Sequence, residues 1–301
     1  MSATLTSDIL RSTLDLQPAE RRDADEAYEG VTGPCPWPKA YGGDMVAQAV
    51  VAMTRSVDAG RALHSMHSYF MRPVEVGALV RYEVDRTRDG RGFSTRTVRG
   101  IQGGKVAYLA MASFHVPSDG PEIAAPAPEG VPEPESLPSS AQALESVVPG
   151  TTEAGTVTPE SLEYWSSGRS FDMRHVPGPV YVTVDGGQSR HQAVWVRAFE
   201  GLPDDEGLHR AALAYVCDYT IIEPILRAIG LPWAKPGLVT ASLDHAMWFH
   251  RPARADGWLL YAQEAISAQH GRGLATGRFF DRSGQLVATV VQEAMIRAPA
   301  N

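Results

Sequence analysis

The chain has 301 residues, of which 44% are apolar, and its formal net charge is -8. This apolar content is enough for two hydrophobic cores of ordinary size. The excess of acidic residues argues against nucleic acid and against anionic membrane surfaces as partners. The two cysteines, Cys35 and Cys217, are too far apart in sequence to predict a disulfide framework or a metal-binding knuckle.

Neither end of the sequence carries a recognisable targeting signal. Residues 1–17 lack the basic start and the continuous apolar run of a secretory signal. The last five residues, 297–301, lack a Ser-Lys-Leu-type peroxisomal address. No uncharged apolar stretch is long enough to cross a bilayer. We therefore expect a cytoplasmic protein that does not insert into membranes.

The first half of the chain predicts one helix followed by four strands. A helix start is expected at Gly42 and Gly43, because apolar residues recur at helical spacing over residues 46–53. Strand-like runs separated by turn residues then cover 63–71, 78–86, 94–101 and 106–115. These elements define a predicted amino-terminal domain of residues 1–116.

A proline-rich linker is predicted for residues 117–158. Residues 117–138 alone contain seven prolines among acidic and small residues. Such a composition buries too little apolar area to offset the entropy of ordering. Because proline favours extended backbone, we expect a stiff strap that runs over the surface.

The second half repeats the pattern of helix and strands. Strands are predicted at 180–184, 193–199, 239–250, 258–268, 275–280 and 285–297, with a long helix from Leu208 to about Arg227. The carboxyl-terminal domain is assigned to residues 159–301. A helix packed on an antiparallel sheet, made twice, is an α+β architecture, and we expect the two units to form one continuous sheet.

Four pairs of landmarks, roughly 180 residues apart, indicate that the two halves are copies of one fold. The pairs are Tyr41-Gly-Gly-Asp44 with Tyr215-Val-Cys-Asp218, Phe70-Met-Arg-Pro73 with Phe249-His-Arg-Pro252, Arg91-Gly92 with Arg272-Gly273, and Gly104 with Gly284. One copy therefore serves as a control for the other.

Asp218 is the first candidate for chemistry, because it lies within the apolar stripe of the second predicted helix. A buried carboxylate requires hydrogen-bond donors. The alternative is a structural aspartate that caps or distorts the helix before Pro224. Along the strand 239–250, alternation places Ser242 and Asp244 on one face and His245 on the other.

The last strand offers a second candidate. Gln292 and Glu293 interrupt an apolar run, so one of the two must face inward. A buried glutamine can hold a water molecule or a carboxylate, or it can satisfy a bulge in the strand.

The internal control favours a functional interpretation. By the landmark offsets, Asp218 corresponds to Asp44, whereas the counterparts of Ser242 and Gln292 are Leu63 and Ala112. If the polar set only maintained the fold, both copies would need it. Its absence from the first copy points to function in the second.

With these residues in place, the chain resembles the type II acyl-CoA thioesterase family, whose members are double hotdog proteins. The resemblance covers most of the chain outside the linker. The matching segments are Tyr41-Gly-Gly-Asp-Met-Val-Ala-Gln48, Leu63-His-Ser-Met-His-Ser-Tyr-Phe-Met-Arg-Pro73, Phe93-Ser-Thr-Arg96, Ala112-Ser-Phe-His115, Leu208-His-Arg-Ala-Ala-Leu-Ala-Tyr215, Ser242-Leu-Asp-His-Ala-Met-Trp-Phe-His-Arg251 and Val291-Gln-Glu293.

The resemblance implies hydrolysis of a fatty acyl-CoA to a free fatty acid and CoA. Family members are described as orienting a hydrolytic water with an Asp, a Thr or Ser, and a Gln, and these roles fall on Asp218, Ser242 and Gln292. Many relatives have Thr where this chain has Ser242, and relatives often have Gln or His at Asp44. No metal or other cofactor is expected.

Further residues are predicted to bind substrate. Backbone N–H groups near Gly42 and Gly43 would stabilise the oxyanion, and the CoA phosphates require a local basic patch. The predicted substrate-binding set is Gly42, Gly43, Asp44, His67, Arg251 and Arg272.

Alternatives remain at this point. Ser242 could be a covalent nucleophile, although no Gly-x-Ser-x-Gly elbow is present. The chain could be an enoyl-CoA hydratase or a non-catalytic acyl-CoA-binding protein. The hydratase pattern places His five residues after Asp, where this chain has Glu223. Because hotdog units extend their sheets by pairing, we expect a homo-oligomer, a dimer or a tetramer.

Overall fold

A computed structural model describes residues 3–151 and 156–299 of the chain. The amino-terminal half contains two helices and six strands within this range. They are α1 (Ala3–Leu14), β1 (Gln17–Pro18), β2 (Glu26–Val31), α2 (Gly42–Thr54), β3 (Ala62–Phe70), β4 (Leu79–Asp89), β5 (Phe93–Gln102) and β6 (Lys105–His115).

The connecting segment and the carboxyl-terminal half follow. Their elements are a 3₁₀ turn (Pro134–Ser136), α3 (Ser140–Ala143), β7 (Gly150–Thr151), β8 (Thr156–Val157), α4 (Pro159–Glu163), a π turn (Tyr164–Gly168), β9 (Phe171–Val176), β10 (His191–Ala198), α5 (Glu206–Val216), a 3₁₀ turn (Cys217–Tyr219), α6 (Glu223–Ile229), β11 (Val239–Ser242), β12 (Asp244–Phe249), β13 (Leu259–Gln269), β14 (Arg272–Asp281) and β15 (Leu286–Arg297).

Thirteen of the described strands form one antiparallel sheet, in the order β1-β2-β4-β5-β6-β3-β12-β15-β14-β13-β10-β9, with β11 also paired to β15. The two halves join where β3 pairs with β12, with Met66 opposite Met247. Each half contributes helices to the same face of the sheet. The predicted α+β double hotdog with one continuous sheet is confirmed.

The core lies between the sheet and the helices α2, α5 and α6. The apolar positions that predicted α2, Val46, Ala49, Val50 and Met53, are fully buried. Helix α2 packs closely against α5, and a β-carbon on Gly43 would collide with the backbone oxygen of Tyr215. Glycine at position 43 therefore permits the two central helices to approach each other.

The predicted strand at 180–184 is wrong, and the strand next to β10 is instead β9. Residues 180–184 follow Pro177 and Pro179, and Val180 and Tyr181 are buried without a place in the sheet. Val180 and Tyr181 accept backbone hydrogen bonds from residues 233 and 234, which follow α6. An apolar run bounded by prolines thus packs as an irregular buried segment.

The predicted continuous helix from Leu208 to about Arg227 is also wrong. Helix α5 ends at Val216, a single 3₁₀ turn follows, and α6 begins at Glu223 with Pro224 in its first turn. Proline has no N–H to donate and is favoured in the first turn of a helix. Asp218 therefore lies in the break between two helices.

The segment after β6 covers the outer face of the second half of the sheet. Its residues Ala127, Val131 and Leu137 pack on a small apolar cluster that includes Trp195 and Trp258. The indole N–H of Trp195 donates to the backbone oxygen of Pro132 at 2.9 Å.

The predicted domain boundaries at 116 and 158 stay predictions. The predicted ranges also include residues 1–2, 152–155 and 300–301, which lie outside the described residues.

Within the described part of the chain, no helix is both long and apolar enough to cross a membrane.

Candidate active site

The structure brings Asp218, Ser242 and Gln292 into direct contact. Asp218 Oδ1 accepts a hydrogen bond from Ser242 Oγ at 3.0 Å and another from Gln292 Nε2 at 2.6 Å. Gln292 Nε2 also donates to Ser242 Oγ at 2.9 Å. Two donors thus converge on one carboxylate oxygen, and both N–H groups of the amide have partners.

Ser242 reaches Asp218 because the strand is irregular immediately after it. Ser242 lies opposite Ala294 on β15, but Ala246 lies opposite Val291. One strand therefore advances four residues while its partner advances three, which defines a bulge between β11 and β12. The extra residue reverses the alternation, so the prediction that Ser242 and Asp244 share a face is wrong. Ser242 and His245 both face the helices.

Gln292 is the inward member of the pair on β15. Its side chain is fully buried, whereas Glu293 faces outward, where it pairs with Arg272 at 3.1 Å. The neighbouring Asp244 also faces away from Asp218, and its carboxylate accepts the backbone N–H of Glu293 at 2.8 Å. The polar character of residues 292–293 is therefore divided between the two faces of the sheet.

His245 is a site residue that the sequence reasoning missed. Its ring is fully buried, with Nδ1 2.8 Å from Gln292 Oε1 and Nε2 3.7 Å from Cys217 Sγ. Burial lowers the pKa of this imidazole. Because the bulge was not foreseen, strand alternation placed His245 on the opposite face from Ser242.

The amino terminus of α2 approaches the other oxygen of Asp218. A β-carbon on Gly42 would lie 2.5 Å from Asp218 Oδ2. The first N–H groups of a helix have no acceptor within that helix, and they carry its positive end. Tyr41 precedes the helix without a side-chain cap. The arrangement leaves polar backbone groups beside the carboxylate.

These groups border a cavity of about 470 Å³. Gly42, Asp218, Ser242 and Gln292 lie in its wall. Aromatic side chains from four separate segments form much of the rest, and these are Trp37, Tyr41, Tyr164, Trp165, Tyr219 and Trp233. The cavity therefore offers an apolar chamber beside a small polar cluster, as expected for a small-molecule site.

Two cationic side chains also line the cavity. Lys39 Nζ donates to the backbone oxygen of Thr240 at 2.7 Å, and burial lowers the pKa of the lysine while the nearby Asp218 opposes this shift. Arg169 is nearly buried, donates from Nη1 to Tyr181 at 3.2 Å, and lies 4.9 Å from the ring centre of Tyr219. Neither cation was predicted, because both come from segments without periodic patterns.

Of the six residues predicted to bind substrate, Gly42 lies in the cavity wall, and Gly43, Asp44, His67, Arg251 and Arg272 do not. The last three lie away from the cavity. His67 is exposed on the outer face, where its ring meets Trp248 edge to face at 5.1 Å. Arg251 pairs with Glu122 of the linker at 2.7 Å. The third, Arg272, lies on the outer face with Glu293.

Asp44, the counterpart of Asp218, is buried and outside the cavity wall. Its Oδ2 accepts the N–H of Gly33 at 2.9 Å, and its Oδ1 has no hydrogen-bond partner. Loss of solvation on burial raises the pKa of Asp44 to about 7, with a smaller contribution from Asp218. The first copy thus retains a carboxyl group but supplies it with one donor.

Among residues 3–151 and 156–299, no group of three His, Cys, Asp or Glu side chains is placed to hold a metal ion.

Comparison with protein families gives two matches that together span both halves. Residues 167–295 match the family described as acyl-CoA thioesterase, and residues 33–115 match the acyl-CoA thioesterase N-terminal domain. The second match ends at residue 115, which is also the last residue of β6.

Individual relatives match over almost the whole chain. The sequence is 33% identical to acyl-CoA thioesterase 2 of Haemophilus influenzae, over 97% of this chain and 99% of that protein. It is 32% identical to acyl-coenzyme A thioesterase 8 of Rattus norvegicus, over 99% of this chain and 92% of that protein.

Solved structures agree in fold. An acyl-CoA thioesterase II, TesB2, from Mycobacterium marinum superposes with a TM-score of 0.73 at 32% identity, covering 97% of this chain and 99% of that one. The tesB protein of Mycobacterium avium subspecies paratuberculosis superposes with a TM-score of 0.76 at 29% identity, covering 97% and 100%.

Proposed function

We propose that this chain, which belongs to the acyl-CoA thioesterase family, activates a water molecule with Asp218, Ser242 and Gln292. The chain is an acyl-CoA thioester hydrolase, as its relatives are. Its substrate in this proposal is a fatty acyl-CoA, and the products are the free fatty acid and CoA. The apolar wall of the cavity supports an acyl group as the part of the substrate that enters.

One observation carries the mechanism: both side-chain donors point at the same oxygen of Asp218. Oδ1 is thereby occupied, so Oδ2 is the oxygen left to accept a proton. Both N–H groups of Gln292 are used, on Asp218 and on Ser242. In the proposal Asp218 and Ser242 contact the water, and Gln292 holds these two residues in position.

The reaction then balances without a cofactor. The water oxygen attacks the thioester carbonyl carbon while its proton passes to Asp218 Oδ2. The carbonyl oxygen becomes an oxyanion, for which the N–H groups of Gly42 and Gly43 at the start of α2 are the proposed donors. When the carbon–sulfur bond breaks, the CoA thiolate takes the proton back from Asp218.

The placement of Glu223 disfavours a hydratase. This residue, five positions after Asp218, is fully buried in a separate network, where it accepts from Trp233 at 3.0 Å and Gln192 at 2.8 Å. His175 completes the network at 3.1 Å. A second acid–base residue is therefore not supplied to Asp218 at that position.

A covalent route through Ser242 has less support. In the structure, Ser242 Oγ donates to a carboxylate oxygen and accepts from an amide, and its partners include no histidine. The buried His245 contacts Gln292 instead. The hydroxyl is therefore arranged as a hydrogen-bonding group and lacks the imidazole base that usually activates a serine.

Three assays separate these possibilities. Release of free thiol from hexanoyl-CoA measures hydrolysis, and loss of the enoyl absorbance of crotonyl-CoA measures hydration. Mass spectrometry of a quenched reaction detects an acylated peptide that contains Ser242. The proposal requires thiol release without hydration and without the acylated peptide. A purified protein that binds hexanoyl-CoA but releases no thiol would be a binding protein.

We also propose that the chain forms a homo-oligomer, a dimer or a tetramer, and acts in the cytoplasm. In support of an interface, the outer face of the first half of the sheet leaves Tyr69 and Met111 at least half exposed. Light scattering on the purified protein tests the oligomer, and a monomer at micromolar concentration would contradict it.

A further inference from the structure

We propose that His245 is a positioning residue, which fixes the orientation of the Gln292 amide and, through it, the carboxylate of Asp218. This inference rests on the proposed role of Asp218 as the base. It concerns a residue that does not line the cavity and touches no reacting atom. Its contribution would reach the reaction through two successive hydrogen bonds.

The first step concerns the two ends of the Gln292 amide. An ionised carboxylate has only acceptor sites, so the group 2.6 Å from Asp218 Oδ1 must be the amide nitrogen. The amide oxygen then faces the opposite way, toward His245 Nδ1 at 2.8 Å. One orientation of the amide therefore satisfies both partners, and Asp218 and His245 hold it from opposite ends.

The second step concerns the proton on the imidazole. An amide oxygen has no proton to give, so His245 Nδ1 must be the donor in this contact. The ring is fully buried, and burial lowers its pKa, so it is neutral and carries one proton. Nε2 then carries no proton and lies 3.7 Å from Cys217 Sγ, while the Cys217 thiol donates to the backbone oxygen of Ala214 at 3.2 Å. The chain of donors runs from His245 to Gln292 to Asp218.

The third step is the consequence of losing the Nδ1 proton donor. Without a partner for Oε1, the amide can turn over and place its oxygen against Asp218 Oδ1. Two acceptors at that distance repel each other. The carboxylate would then lose a charge-assisted hydrogen bond and its fixed orientation toward the water. We expect slower chemistry with little change in substrate binding.

The first copy of the fold provides an internal control. The counterparts of His245 and Gln292 are Met66 and Ala112, and these two residues lie opposite each other on β3 and β6. Met66 is fully buried in the same layer. The fold therefore accepts an apolar pair at these positions, and the polar pair occurs only in the copy that contains Asp218 and Ser242.

The variants that test the proposal differ in where they place a donor. The amide of H245N lies near the position of the imidazole Nδ1 and can reach Gln292 Oε1. The longer H245Q places its amide near the position of Nε2, beside Cys217. H245M copies the residue found in the first half. Each is compared with the wild type in hydrolysis of hexanoyl-CoA and in thermal unfolding.

We expect H245M and H245Q to lose about tenfold or more in kcat with KM within about twofold, as for loss of one buried hydrogen bond. H245N should retain most of the activity. The proposal is overturned if H245M is fully active, or if H245N loses as much kcat as H245M at the same melting temperature.

Two further measurements keep the proposal testable if a variant is unstable. Nitrogen NMR of the wild-type protein should show His245 with its proton on Nδ1; a proton on Nε2 would overturn the proposal. H245M should also cause no further loss in a Q292A background, and independent losses would contradict coupling through Gln292. The NMR result does not depend on catalysis. It can therefore support or contradict the role of His245 even if Asp218 proves not to be the base.

Discussion

Asp218 Oδ2 lies against the α-carbon of Gly42, so closely that a β-carbon at position 42 would be 2.5 Å from that oxygen. Real β-carbons essentially never approach an oxygen at that distance, so one of the two groups would have to move. The contact joins the start of α2 in the first half to the helix break in the second half. The candidate site is therefore shared between the two copies of the fold.

Replacement of Gly42 by alanine should disable the site while the fold persists. The added methyl displaces Asp218 or the start of α2, and a shift of about 1 Å in a catalytic group can cost about 100-fold in rate. We expect a loss of that order in kcat/KM of G42A, measured by thiol release. G92A is the matched control, because a β-carbon at Gly92 meets nothing within 4 Å. Equal activities of G42A and the wild type would contradict the shared site.

Asp218→Asn should have the largest effect of any single change in the cluster. The asparagine keeps the size of the side chain but cannot accept the proton from water, and loss of a general base costs about 100- to 10,000-fold. Asp244→Asn is the control on the neighbouring strand, because its amide oxygen can still accept the N–H of Glu293. Turnover by D218N within threefold of the wild type would remove Asp218 from the mechanism.

Ser242 is expected to tolerate threonine but not alanine. Threonine retains the hydroxyl that donates to Asp218, with a stiffer rotamer. Alanine removes one of the two donors to Oδ1, which we expect to reduce kcat by about tenfold. Steady-state kinetics of S242T and S242A test the order, and S242A with unchanged kcat would show that the hydroxyl is dispensable.

The fate of Asp218, Ser242 and His245 shows what the sequence could and could not predict. Asp218 was selected from a continuous helical stripe, yet it lies in a helix break, because Pro224 starts a new helix. Asp218 is directed toward the sheet in the broken arrangement, as it would be in a continuous helix, so its selection was correct although the predicted element was wrong. Ser242 was selected by comparing the two copies, which does not depend on strand alternation.

His245 was missed for a physical reason. Alternation assigns faces correctly only in a regular strand, and the bulge after Ser242 adds one residue. The signal that could have found it was already in the duplication, where His245 replaces the Met66 of the first copy. The cavity walls were beyond such reasoning, because Trp37 and Arg169 belong to segments whose positions depend on long-range packing.

Asp44 should make stability depend on pH in a way that its asparagine variant does not. Because burial raises its folded-state pKa to about 7, the folded protein holds a proton that the unfolded chain releases near pH 4. The protonated Asp44 carboxyl stabilises the folded state relative to the ionised form. This contribution to the free energy of unfolding is fully present below about pH 4 and is lost as the pH rises to 7.

The size of this effect follows from the shift between the folded and unfolded states. A difference of about three pKa units corresponds to a free energy on the order of 4 kcal/mol. The free energy of unfolding of the wild type, relative to that of D44N, should therefore fall between pH 4 and pH 7 and stay constant above it. Urea unfolding of both proteins from pH 4.5 to 8 measures the difference, and subtraction cancels the carboxylates that they share. Parallel pH profiles of the free energy of unfolding for the two proteins would contradict this prediction. They would mean that the Asp44 carboxyl is solvated or has a full set of hydrogen-bond donors, since a buried acid with one donor must titrate in this range.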